Sequence, residues 1–404
     1  MKITKKFFET LLIALIPLLP DYFRLAGQPV YQYATILLFL VVVNKRKIDK
    51  YEKNYILFFC IITMLFSFTP RIVHFDINPL LSFLLMPVLL SISIFLYLRD
   101  ESDIEYLIDV FILTGIFASL LSFIECFSGF NVFSLIETVD LGEIGTASKM
   151  RDGIIRAEGS FGTAIAYGIY LSTLNVLCLY KLTSGSEKRK LKYWSGYFLS
   201  AIALILTQSR MPIIVFAISQ FAYFFKFKKT YRALLVTTFI VLFAVDCLTS
   251  KIIIGMISEY SELIYKVIMG NQSELDINSA YRVLLPSVLV PQIMQSPIVG
   301  FGQKFMSAFT FRVWRFDFTS IDNNYLGMLV RYGVMGLVGQ LFPFVYALYL
   351  IVKMKFEGIA YPIWLILIGY FINLISVAQM SEGRFLYMMV PLILRKYWIY
   401  KRGI

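Results

Sequence analysis

The chain has 404 residues, of which 58% are hydrophobic and only 16% charged, and its mean hydropathy is +0.73. Soluble domains carry about a quarter of their residues as charges, so this composition excludes one and implies a polytopic membrane protein. The net charge of +12 requires no nucleic acid, because most of it falls in short basic connections whose expected neighbour is anionic lipid.

Apolar runs recur at about 7-23, 29-44, 54-69, 78-98, 105-129, 159-181, 193-209, 211-226, 231-249, 326-352, 358-379 and 384-398. They are continuous rather than alternating, and lipid demands internally satisfied backbone, so they are expected to be helices. The expected fold is an all-α polytopic integral membrane protein of about 12 transmembrane helices, one membrane domain over 1-404. The first run, "FFETLLIALIPLLPDYF", follows Lys2, Lys5 and Lys6 and has no small-residue cleavage site after it, which reads as a retained signal anchor.

Basic clusters such as "NKRKIDKYEK", "GSEKRKLK", "KFKKTYR" and "RKYWIYKR" fall at every second connection. By the positive-inside rule these are cytoplasmic, both termini included, and the alternate connections face outward. Sorted this way, the inward side carries eighteen lysines and six arginines, the outward side four lysines and ten arginines. Topology accounts for lysine inside but not for arginine outside. A planar guanidinium binds phosphate and carboxylate bidentately, so the outer face is expected to meet an anionic ligand, unless its arginines pair with outer acids such as Asp76, Asp152, Glu158 and Asp317.

Two outward loops are long, 130-158 and 250-325. In the first, Arg151 and Arg156 precede "GSFGTAIAYGIY", where a helix beginning near Gly159 would offer free N–H groups to an anion. The tip "LTQSRMP" then places Arg210 at an outward turn with no acid within ten residues, beside Thr207, Gln208 and Ser209. Tight turns also favour such residues, so Ser209 and Thr207 read as structural as readily as binding groups. The four cysteines lie in or at the ends of runs and read as apolar fillers, and the single histidine, His74, cannot by itself make a metal site.

In the second loop, "KIIIGMISEYSELIYKVI" has an amphipathic helical pattern suited to an interface. "YRVLLPSVLVPQI" continues as a helix with Arg282 near its start and stops at "SPIVGFG". Next comes "TSIDNNYLGMLVRYGVMG". A helix begun at Asp322 would carry Gly333 and Gly336, eleven and fourteen residues on, on the face of that carboxylate. Alternatively Ser320 or Asp322 is an N-cap, a preference worth about 1 kcal/mol.

These pieces resemble the O-antigen ligase and O-antigen polymerase superfamily: "RAEGSFGTAIAYG" opening a mid-chain run, "LTQSR" at an outward tip, a long outer loop ending in "SPIVGFG", and "DNNYLGMLVRYGVMG" opening the next run. The resemblance covers about residues 150 to 340. It implies a GT-C-like helical glycosyltransferase of the bacterial cytoplasmic membrane, acting on its outer face without metal or cofactor. A glycan on undecaprenyl pyrophosphate would be transferred to the non-reducing end of a lipid-linked repeat unit, in O-antigen or capsule synthesis, with a chain-length regulator as possible partner. Arg210 and Arg282 match the family's arginine positions and would offset the charge of the leaving pyrophosphate, with Arg156 and Arg331 as further candidates. Asp322 stands where the ligase branch has histidine, a departure that favours polymerase over ligase, and it would orient or deprotonate the acceptor. Asn323, Asn324, Tyr325 and Ser209 would bind glycan or pyrophosphate. A lipid-linked oligosaccharide flippase is a further alternative, but it predicts an internal repeat that the sequence does not display.

Overall fold

A computed structural model of the chain describes residues 2–44, 50–140, 150–151, 154–184, 190–224, 232, 236, 240, 277–307, 311–313, 316–318, 321–377 and 383–402. Five described helices are long and apolar enough to cross a membrane: Glu52–Val73, Ile77–Tyr97, Glu101–Ser128, Ala164–Ser184 and Asn324–Lys353. Shorter apolar helices run over Val30–Val43, Arg210–Phe224 and Ala360–Asn373. Every apolar run of the sequence holds a helix except 231–249, which lies almost wholly outside the described residues. The chain is a helical, multi-pass membrane protein, and the strands among the described residues are three two-stranded hairpins in its connections.

Local signals set the helix limits. Asp100 caps Glu101–Ser128 by accepting from the Asp103 N–H at 3.0 Å, and the helix ends where Gly129 turns left-handed at φ +72°. Ile77–Tyr97 contains a π-helical stretch, Leu84–Leu90, around Pro87, whose missing N–H breaks the regular ladder. The mid-chain helix starts later than its sequence suggests. A 3₁₀ turn over Gly159–Phe161 and a left-handed Gly162 come first, and the α-helix opens at Ala164.

Helices in lipid gain little from apolar burial against one another and associate through close packing. The most extensive helix pair involving Asn324–Lys353 is with Lys50–Val73, and it depends on Gly339. A Cβ there would lie 2.1 Å from Ser67 Oγ and 2.6 Å from Ser67 N. Elsewhere aromatic rings fill the interior: Phe161 lies 4.9 Å from Tyr170, which meets Phe385 edge-on at 4.8 Å.

The described connections gather at two ends of the bundle, and each end is laced within itself. At one end Tyr22 O accepts from Thr138, the Ala157 N–H donates to Leu206 O, and Arg384 donates to Leu19 O. At the other, Lys6 pairs with Asp103 at 2.6 Å, Arg395 with Glu52 at 2.6 Å, and Lys181 with Glu105 at 2.6 Å. Among the described residues, Lys6, Lys181 and Arg395 thus lie at one end and Arg384 at the other. The amphipathic stretch 251–268 and the tips of both long loops lie outside the described residues.

Candidate functional site

At the end that carries Arg384, a discontinuous helix builds the site. Asn324–Lys353 is broken at Gly333, whose φ of +63° and ψ of −165° belong to a region open only to glycine. The turn "SPIVGFG" closes the break. Phe301 N–H and Gly302 N–H donate to the carbonyls of Val330 and Arg331 at 2.9 and 2.7 Å, while Val334 and Met335 N–H donate to Pro297 and Ile298 at 2.8 and 3.1 Å. Non-helical backbone at membrane depth is tolerated where protein satisfies it in this way. The turn is held from its other side by the Pro70–Ile77 corner: His74 Nε2 bonds Val299 O at 3.0 Å, and the Gln303 N–H donates to Asp76 Oδ2 at 2.7 Å. His74 is therefore an interface side chain.

This clamp fixes Arg331 on the wall of a cavity of about 640 Å³, within the usual size of a small-molecule site. Among the described residues four arginines line it, Arg24, Arg71, Arg331 and Arg384, with one acid, Asp21. Arg71 is buried, lies 4.7 Å from the Phe83 ring and 4.2 Å from the Tyr332 ring, and donates to Ser67 O at 2.7 Å. Neither Arg71 Nε nor Arg331 Nε has a hydrogen-bond partner among the described residues. Arg384 lies 4.2 Å from the Tyr31 ring and 4.0 Å from Asp21 Oδ2. Asn324 and Gln340, bonded to each other at 3.0 Å, add neutral polar groups, and Met86, Pro87 and Met328 add apolar wall. Such a cavity is built to take a strongly anionic group that carries something apolar or sugar-like beside it.

The structure brings together only some of the residues singled out in the sequence. Arg331 and Asn324 line the cavity. Asn323 caps the helix, its side chain accepting from the Leu326 N–H at 3.1 Å, so neither Ser320 nor Asp322 is the cap. Asp322 is exposed and not among the lining residues, and the break at Gly333 removes the continuous face that was to join it to Gly333 and Gly336. Tyr325 donates to Phe371 O at 2.8 Å.

Arg156 faces the "TQS" turn instead of an open helix end: its Nε donates to Thr207 O at 3.0 Å and its Nη2 to Ser209 Oγ at 3.2 Å. Arg210 opens its helix there, and none of Arg156, Ser209 and Arg210 lines the cavity. Arg282 lies on the helix Ile277–Ile293, and its side chain is outside the described residues. Among the described residues no cluster of three metal-ligating side chains occurs.

Sequence reasoning missed Arg24, Arg71, Arg384 and Asp21 as members of one site. All four lie in the first, second and last outward connections. The excess of outward arginine pointed at them as a class, but nothing local says which would converge.

Residues 195–341 match a family model described as O-antigen ligase. Over that stretch the chain is similar to the O-antigen ligase family. The matched stretch contains the "LTQSR" tip, the "SPIVGFG" turn and the broken helix with Arg331, so the segment that shapes one cavity wall is also the segment that carries the family pattern. No curated protein matches the chain.

Proposed function

We propose that this chain is an oligosaccharide repeat-unit polymerase, a glycosyltransferase that moves a growing glycan from undecaprenyl pyrophosphate to the non-reducing end of a lipid-linked repeat unit. The observation that carries this reading is the cavity itself, whose described lining sets four arginines against a single aspartate. The leaving pyrophosphate develops negative charge as the glycosidic bond to it breaks, and preorganised guanidinium groups in a site of restricted solvent offset that charge without reorganising. Arg71 and Arg331, each with an Nε that lacks a partner among the described residues, are the groups for the diphosphate.

In this reading the cavity end faces outward from the bacterial cytoplasmic membrane and the opposite end, with both termini, faces the cytoplasm. The bundle is the twelve-span arrangement, and a chain-length regulator is a partner at the outer end. Ligase activity is the second reading, favoured by the description of the matching family. Against it stands Asp322 at the position where the ligase motif has histidine.

Electrophoresis of surface glycan separates the two. Cells lacking the chain should show a single core-plus-one-unit band, with the ladder restored by wild type and not by Arg331→Ala or Arg71→Ala at equal expression. Finished polymer stranded on its lipid carrier in the deletion would establish the ligase reading instead.

A further inference from the structure

We propose that Asp21 is the catalytic carboxylate of this site, engaging the acceptor hydroxyl; the inference rests on the glycosyl-transfer reading above. Asp21 is the sole carboxylate among the described residues lining the cavity. It sits in the connection that follows the first helix, far in sequence from the matched family segment. Its side chain is 19% exposed, so it is open to the cavity while largely shielded from bulk solvent.

The charges around Asp21 divide the cavity into two regions. Arg384 Nη2 approaches Asp21 Oδ2 at 4.0 Å, beyond hydrogen-bond length, and Arg24 Nε donates to the Asp21 carbonyl rather than its carboxylate. Arg384 is thus partly compensated, and the carboxylate keeps capacity to accept from a ligand. Asp76 lies near Arg71 but accepts from the Gln303 N–H at 2.7 Å and does not line the cavity, so among the described lining residues Asp21 is the one acid that Arg71 and Arg331 face. A diphosphate is drawn to the Arg71 and Arg331 side, and a neutral sugar hydroxyl to the Asp21 side.

The step this permits is balanced. The acceptor hydroxyl oxygen bonds to the anomeric carbon of the donor glycan, and the bond from that carbon to the pyrophosphate oxygen breaks. Its electron pair leaves with undecaprenyl pyrophosphate. The hydroxyl proton passes to the Asp21 carboxylate and from there to water. Proton transfer accompanies formation of the bond to oxygen, because the hydroxyl acidifies as that bond forms.

Purified chain in proteoliposomes, supplied with lipid-linked repeat units, tests this. Asp21→Asn is expected to lower polymer formation roughly 100-fold or more, the scale of general acid–base catalysis, while binding of undecaprenyl pyrophosphate stays within about threefold of wild type. Asp21→Glu should retain part of the activity. The double variant Asp21→Asn with Arg384→Gln distinguishes chemistry from ion pairing, since it removes the pair and should stay inactive. Restored polymerisation in the double variant would show Asp21 to be a structural partner of Arg384 and overturn the proposal, as would near-wild-type turnover by Asp21→Asn. Both results would leave the polymerase reading standing. A wild-type chain that neither polymerises nor binds undecaprenyl pyrophosphate would overturn both.

Discussion

Gly300 and Gly333 face one another across a seam too narrow for any side chain. A Cβ on Gly300 would lie 2.5 Å from the Arg331 carbonyl carbon, and one on Gly333 would lie 2.3 Å from Ile298 C and O. Both have positive φ, +67° and +63°. The seam is what lets four backbone hydrogen bonds cross between the "SPIVGFG" turn and the broken helix, and Arg331 sits on that seam.

Gly333→Ala is therefore expected to destabilise the chain by roughly 2 kcal/mol or more, because backbone strain and a clash with backbone atoms add. The glycan ladder should disappear together with the loss of thermal stability in detergent. A ladder of normal length from this variant would show that the break does not position the site.

Arg331→Lys should fail nearly as completely as Arg331→Ala. An ammonium keeps the charge but not the planar fork that grips two phosphate oxygens, so restoring charge alone does not restore grip. Undecaprenyl pyrophosphate binding to the purified variants measures this directly, and a lysine variant equal to wild type would reduce the site to a simple field of positive charge.

Asp322→Asn should leave a ladder where Asp21→Asn leaves none. Asp322 is exposed and outside the cavity lining, whereas Asp21 lines it. Asn323→Ala, one residue on, should cost about 1 kcal/mol through loss of the helix cap. Loss of the ladder in Asp322→Asn at normal protein level would return the acceptor-binding role to Asp322.

At the opposite end, Glu52→Gln should be the most damaging single change. The Arg395 and Glu52 side chains are 6% and 3% exposed and 2.6 Å apart, and removing the acid leaves a buried guanidinium with the Arg99 carbonyl, 2.6 Å from Nη2, as remaining anchor. Breaking such a pair costs about 3–5 kcal/mol, whereas replacing both members by apolar groups is often neutral. Thermal melts of Glu52→Gln and of Glu52→Leu with Arg395→Met should show the loss and its recovery.

Gly339→Ala should weaken the pairing of Asn324–Lys353 with Lys50–Val73, and Ser67→Ala should not rescue it. The added methyl would meet the Ser67 backbone nitrogen at 2.6 Å as well as the hydroxyl, so trimming the side chain leaves the clash in place. Rescue in a double-variant melt would mean that the helices can separate without loss.

The sequence by itself determined the helical membrane class and nearly every described helix, because hydropathy acts locally along the chain. It also determined where "SPIVGFG" ends a helix and, through its motifs, the likeness to the superfamily. The site it indicated was partly different. Arg331 and Asn324 were found in the cavity, but Arg156 was spent on holding the "TQS" turn and Asp322 stood outside the lining. Only the tertiary structure decided that Arg24, Arg71 and Arg384 join Arg331, and that Asp21 supplies the acid. Those residues are up to hundreds of positions apart. Their meeting depends on which helices pack together and on a break at Gly333 that defeats a helical-wheel argument, and neither is a local property of the chain.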